Sequence, residues 1–203
     1  EKPGVPGKGG GNLIFGSGGR CGVKEGQQSS LLSEGDFWHD FAAGRVKLCS
    51  TANPASVYSS IELALNWNAM ETLGVSYVLF QDLDFRYWGR CINEAGGNHH
   101  LIFRSLRGSF IGGADMYSDY TVRYGNGIQF WCGAHDNLVE YCLLTEVYDA
   151  ALTAQGLGTY EADHIFFRNN IIMNSEYSFE YWQRDASSQA HDIFFENNTC
   201  INA

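Results

Sequence analysis

A repeat with a period of 28, asparagines that recur at one turn of it, and a column of alternating charge together predict an all-β chain. The fold class they define is a right-handed parallel β-helix, a solenoid with three strands per coil, preceded by a glycine-rich arm and a hairpin. Ile165-Phe166-Phe167 recurs one period later as Ile193-Phe194-Phe195, and Asn169-Asn170 as Asn197-Asn198. One period earlier, Leu138-Val139-Glu140 falls in register, and looser steps of 36 and 23 bring in Ile102-Phe103-Arg104 and Leu79-Phe80-Gln81. Five coils are therefore expected. Short β-branched and aromatic runs bounded by Asn, Gly or Asp suit parallel strands stacked about 4.8 Å apart. A leucine-rich repeat would need a fixed Leu/Asn consensus and a helical stretch in each unit, and neither is present. Asn170 over Asn198 reads as an amide ladder. Arg104, Glu140, Arg168 and Glu196 form an outward column in which neighbouring coils meet opposite charges.

In chain order, residues 1–30 are an extended arm, with ten glycines between Glu1 and Gly26. Residues 31–75 are a hairpin and cap region: Phe37 to Asp40 and Arg45 to Leu48 flank a turn ending in Gly44. Ser59 to Leu65 fits a strand or a short helix, and periodicity does not separate the two. Residues 76–203 carry the coils. Within them a second strand set aligns Ile128, Ala151 and Phe179 in one inward column and Phe130, Thr153 and Tyr181 in another. Val139, Phe167 and Phe195 form a third. The parity leaves Gln129, Trp131, Glu180 and Trp182 pointing outward.

A chain of 203 residues is long enough for one core and does not force a second domain. No apolar run approaches the roughly 18 residues of a membrane span, and no charged-then-apolar leader opens the chain. A net charge of -10 with scattered basic residues makes nucleic acid an unsuitable partner. The six cysteines show no CxxC pairing and no close histidine, which argues against structural zinc. Several of them fall within apolar strand patterns, so free buried thiols are expected rather than disulfides.

The repeated Asn-Asn turns, the Asn170/Asn198 ladder and the aromatic outer strand resemble the right-handed β-helix proteins of the pectate-lyase-like superfamily. The segment from Phe37-Trp38-His39-Asp40 to Leu48, with Asn53-Pro54 after it, resembles the lead-in of several β-helical glycoside hydrolases. The resemblance covers residues 37–203 and implies carbohydrate chemistry and a secreted, cell-surface or periplasmic location. Polysaccharide hydrolysis by a carboxylate pair comes first; the alternatives are a polysaccharide lyase or epimerase, or a non-catalytic glycan-binding or structural module. Neither the paired-Asp and Gly-His-Gly motifs of polygalacturonases nor the Arg-centred signature of calcium pectate lyases is present.

A glycosidase needs two carboxyl groups flanking the bond. Asp149 and Glu180 form the expected pair, with Asp149 three aligned positions earlier at the bend entering the neighbouring strand. Glu180 is the expected acid, because the Trp182 indole lowers local polarity. Glu146 and Asp185 are reserves, and His135 is a candidate acid or base. Tyr148 fits packing and chemistry equally. Trp131 and Trp182 suit the C–H faces of sugar rings, while Gln129 and Arg184 supply hydrogen bonds and charge; the alternative is that loops 111–124 and 156–162 fold over and bury both indoles. The expected partner is thus a polysaccharide or oligosaccharide. No cofactor and no metal site are expected; a lyase would bring calcium, but Asp82 and Asp84 lack a third oxygen cluster. The sequon Asn197-Asn198-Thr199 matters only in a eukaryotic secretory pathway.

Leu79, Ile102, Leu138, Phe166 and Phe194 form an outward apolar column, expected to be covered by the hairpin around Trp38 and Val46, by the arm or by a second chain. No polar cap follows the last repeat before Ala203. Continuation of the chain or self-association at that end is therefore expected.

Overall fold

The computed structural model describes residues 9–16, 20–116 and 122–203. It is all-β in its architecture, with three parallel five-stranded sheets, an arrangement compatible with a β-helix. The first sheet contains Met70–Glu71, Asn93–Gly96, Ile128–Trp131, Ala150–Gly156 and Tyr177–Gln183. The second contains Leu79–Gln81, Ile102–Arg104, His135–Glu140, Glu161–Arg168 and Gln189–Glu196. The third contains Asp84–Arg86, Arg107–Ile111, Leu143–Val147, Ile171–Met173 and Thr199–Ile201. The chain visits first, second and third sheet in that rotation five times.

Parallel stacking puts equivalent side chains in columns, and inward columns make the core. Phe80, Phe103, Val139, Phe167 and Phe195 lie in one register, with Phe103, Val139 and Phe167 fully buried. Each buried Phe contributes about 1.5–3 kcal/mol through its apolar area. In the first sheet the register differs from the expected one by one position. Ile128 pairs with Leu152, not Ala151, and Leu152 with Phe179; Phe130 pairs with Ala154, not Thr153, and Ala154 with Tyr181. The cause is unequal coil length: the coil from Ile128 to its partner Leu152 is shorter than the coil from Leu152 to Phe179, and neither matches the period of the regular repeat.

The turns carry the polar columns. Asn170 Nδ2 donates to Asn198 Oδ1 at 3.1 Å and to the Val139 carbonyl at 3.1 Å, and its Oδ1 accepts the Cys142 N–H at 2.9 Å. This is the expected ladder, and it satisfies backbone groups that the turn takes out of the sheet. Glu140, almost buried, accepts from Arg104 Nε at 2.8 Å and Arg168 Nε at 3.1 Å, so the alternating column is an ion-pair chain at its centre.

The described part of the arm contains two short strands. Leu13–Phe15 is the middle strand of an antiparallel sheet, between Arg20–Cys21 and Ile61–Leu63. That pairing settles the Ser59 to Leu65 stretch as a strand. Phe37–Asp40 and Arg45–Leu48 form the expected hairpin. It packs on Leu13 and Phe15 through Phe37, Val46 and Leu48, a cluster separate from the outward apolar column. Leu79 is 50% and Phe194 37% exposed there, with Phe166 and Phe194 stacked at 4.7 Å.

All six cysteines are free, and burial pushes the Cys91 thiol up to about 12 and Cys142 up to about 11. Among the described residues no helix is long and apolar enough to cross a membrane.

Candidate functional site

The outer face of the first sheet carries a cleft of about 700 Å³. Its floor follows from strand parity: Ile128 and Phe130 point into the core, so Gln129 and Trp131 point out, and Phe179 fixes Glu180 and Trp182 in the same way. Of the residues nominated from sequence, Asp149, Glu180, Trp131, Trp182, Gln129 and Arg184 all line it. His135 does not. Trp131 ends its strand and the turn through Cys132 to Ala134 carries the chain around a corner, so His135 begins the second sheet and stacks on His99 at 4.8 Å.

One wall is an insertion between coils, the short hairpin of Ala114–Asp115 with Arg123–Tyr124. At its base the backbones of Gly112 and Gly125 touch: a Cβ on Gly125 would lie 2.2 Å from the Gly112 Cα, and both glycines have positive φ. The arm braces the hairpin from outside. Lys24 Nζ sits 2.5 Å from Asp115 Oδ2, with both side chains nearly inaccessible, and also donates to the Gly10 carbonyl at 3.0 Å. Arg123 lies over the Tyr148 ring at 4.2 Å, which makes Tyr148 a packing residue.

Asp149 stands at the bend before Ala150, four aligned positions before Glu180 rather than three, because of the register shift. Burial pushes its carboxyl up to about 6, with the negative charges of Glu180 and Glu176 adding to the effect. The backbone at Ala150 and Gly125 opposes the rise. Glu180 sits at the end of an aligned amide chain. Asn126 Nδ2 donates to Gln129 Oε1 at 2.9 Å, Gln129 Nε2 to Gln155 Oε1 at 3.2 Å, and Gln155 Nε2 to Glu180 Oε2. Accepting there is the role of a carboxylate oxygen. The other end of the chain touches the approach to Asp149, since Asn126 Oδ1 accepts the Ala150 N–H at 3.1 Å.

Gln129 is buried and committed at both ends of its amide, so it holds the floor of the cleft. The Trp131 and Trp182 indoles stack on each other, 5.8 Å between centroids and 20° between planes, across the intervening coil of Gln155. Arg90 faces Glu94 at 3.4 Å and lies over Tyr124 at 5.0 Å. The reserve carboxylates are engaged elsewhere: Glu146 accepts from Asn174 at 2.7 Å, and Asp185 accepts the Gly158 N–H at 2.6 Å. Asp84 is paired with Arg86 at 2.6 Å on the third sheet, so it and Asp82 do not face this cleft.

Sequence reasoning missed Gln155, Asn126, Arg90, Glu94 and the inserted hairpin. Gln155 stands between the two tryptophans only because the step from Ile128 to Leu152 is short, which the 28-residue period does not signal. No family model matches the chain, and neither does any curated protein or solved structure.

Proposed function

We propose that the chain is a right-handed parallel β-helix of three-stranded coils, akin to the pectate-lyase-like proteins, and that the first-sheet cleft hydrolyses glycosidic bonds. The observation that carries this reading is a carboxyl raised to about 6, Asp149, sharing a cleft with a hydrogen-bonded carboxylate, Glu180, and a pair of indoles. Glycoside cleavage uses two carboxyl groups, one to protonate the departing oxygen and one to support attack at the anomeric carbon.

The acid role passes from Glu180, the acid expected from sequence, to Asp149. Burial and two flanking carboxylates keep a proton on Asp149 to mildly acidic pH, while the Gln155 amide points a donor at Glu180. In the reaction the bond from the anomeric carbon to the bridging oxygen breaks. The Asp149 proton goes to the departing oxygen, Glu180 supports attack at the anomeric carbon, and water supplies the hydroxyl and the replacement proton. The tryptophans offer apolar surface to sugar C–H faces.

With Asp115 paired to Lys24 and Glu94 to Arg90, the cleft offers no excess of positive charge to hold a polyuronate, so a neutral glycan and hydrolysis are the preferred substrate and reaction. An exported location belongs to the same reading.

The test is release of reducing ends from a panel of neutral polysaccharides. Asp149→Asn and Glu180→Gln should each lower turnover by about a hundredfold or more while binding survives. Trp131→Ala and Trp182→Ala should instead weaken binding. Full turnover in both carboxamide variants defeats the proposed pair. A wild-type protein that binds a glycan through the tryptophans without cleaving it puts a binding module in the enzyme's place.

A further inference from the structure

The first corner of each coil, where the chain passes from the first sheet to the second, carries two adjacent columns of unusual composition. Ser76, His99, His135, Asp163 and His191 stack in one. Beside it, Tyr77, His100, Asp136, His164 and Asp192 all take positive φ, between 47° and 59°, so each turns its side chain in the same sense. Five of the six histidines of the chain stand in these two columns, interleaved with three aspartates. Core packing needs none of this, because the columns lie outside the buried cluster.

At one level the columns converge. One ligand atom each from Asp163, His164 and Asp192 lies within 4.8 Å of the others. His164 Nδ1 is 2.7 Å from Asp163 Oδ1, and His164 Nε2 is 3.7 Å from Asp192 Oδ2. We propose that Asp163, His164 and Asp192 form a surface site for a divalent transition-metal ion of the zinc class, with water completing its coordination.

Metal-to-ligand bonds of about 2.0–2.2 Å place tetrahedral ligand atoms about 3.3–3.6 Å apart. The two contacts use opposite nitrogens of the His164 ring, of which one would bind the ion. One donor atom per residue lies within 4.8 Å of the others, and side chains 35%, 51% and 56% exposed are free to close the remaining distance. An imidazole nitrogen with two carboxylates selects zinc-like ions over calcium or magnesium, which prefer oxygen cages. Asp136, one coil earlier, adds negative charge toward His164. The parallel stack fixes the two levels of the site by backbone pairing, with Asp163 in register with His191 and Ile165 with Ile193. Preorganisation by the sheet distinguishes the site from a random surface histidine.

Calorimetric titration of the whole protein with zinc chloride tests this independently of any enzymatic activity. One equivalent of Zn²⁺ should bind, and His164→Gln and Asp192→Asn should each weaken it by at least about tenfold, as loss of a ligand does. His99→Gln, two coils away, should leave the affinity unchanged. Calcium chloride should not compete. His164 and Asp192 are exposed, so their variants should melt with the metal-free wild type; a variant that does not is replaced by Asp163→Asn, at a half-buried position, with the same expected loss. Zinc binding that survives in His164→Gln, or that disappears in His99→Gln instead, overturns the assignment, as does the absence of binding to the wild type.

Discussion

Asp149→Asn should make the protein more stable near neutral pH, and the size of the effect follows from the site. In the folded chain the Asp149 carboxyl is raised from 3.8 to about 6, by burial first and by Glu180 and Glu176 next. Between those two pH values the folded state holds a proton that the unfolded chain has released. Folding stability therefore falls as pH rises from about 4 to about 6, and the penalty stays constant above that. A shift of about two units corresponds to about 3 kcal/mol if the group were wholly shielded. Asp149 is only half-buried, and solvent screening reduces the figure to about 1–2 kcal/mol. Asparagine does not titrate and keeps the shape of the side chain. Urea unfolding of both proteins at a series of pH values is the assay. The variant's advantage should grow from acid pH to a plateau above about pH 6. A stability difference that does not change with pH, or a variant that loses ground as pH rises, refutes the raised carboxyl and with it the assignment of Asp149 as acid.

Three other perturbations probe how the site is held. Lys24→Met leaves Asp115, almost inaccessible and ion-paired at 2.5 Å, without its partner; unfolding should cost about 3–5 kcal/mol less in denaturant melts, and Lys24→Met with Asp115→Asn should recover most of it. Asn170→Ala strands the Val139 carbonyl and the Cys142 N–H in a buried turn, a loss of about 2–4 kcal/mol measurable by the same melts. Gly127→Ala would set a Cβ 2.2 Å from the Ala151 carbonyl oxygen, whereas Gly26→Ala meets nothing within 4 Å; the first should destabilise by about 1–3 kcal/mol or more and the second should lie within about 0.5 kcal/mol of wild type.

The columns are legible where the repeat is regular. Val139, Phe167 and Phe195 align at equal steps because their turns are equally long, and the same steps carry the Asn170/Asn198 ladder and the pairing of Glu140 with Arg168. Legibility fails where a coil is shorter. The short coil from Ile128 to Leu152 moves every assignment on that strand by one, hides Gln155 and misplaces Asp149 relative to Glu180. The tryptophans and Glu180 survive the error because parity is correct along their own strands. His135 misleads for a different reason, since nearness in sequence to Trp131 does not carry around a corner. In the described part of the arm Gly11 donates to Ala64 and Leu13–Phe15 pairs on both sides, so Gly11 permits a close backbone approach that glycine content alone does not signal. Lys24 and Asp115, far apart in the chain, share no local pattern that links them.

The cleft thus lies where the repeat is interrupted. An uninterrupted stack offers flat faces, and the second sheet shows one, with its apolar column from Leu79 to Phe194. On the first sheet the inserted hairpin after Gly112 raises a wall, and the short coil that follows brings Asp149 to the bend beside it. The wall needs a brace because two short strands are marginal alone. Lys24 supplies it from the arm, which is itself held by pairing with Ile61–Leu63. The amide chain from Asn126 to Glu180 then spans the sheet across successive coils, so the strand stack that buries the core also sets the orientation of a carboxylate on its outer face. A change that loosens the arm should therefore reach the cleft without touching any residue that lines its floor.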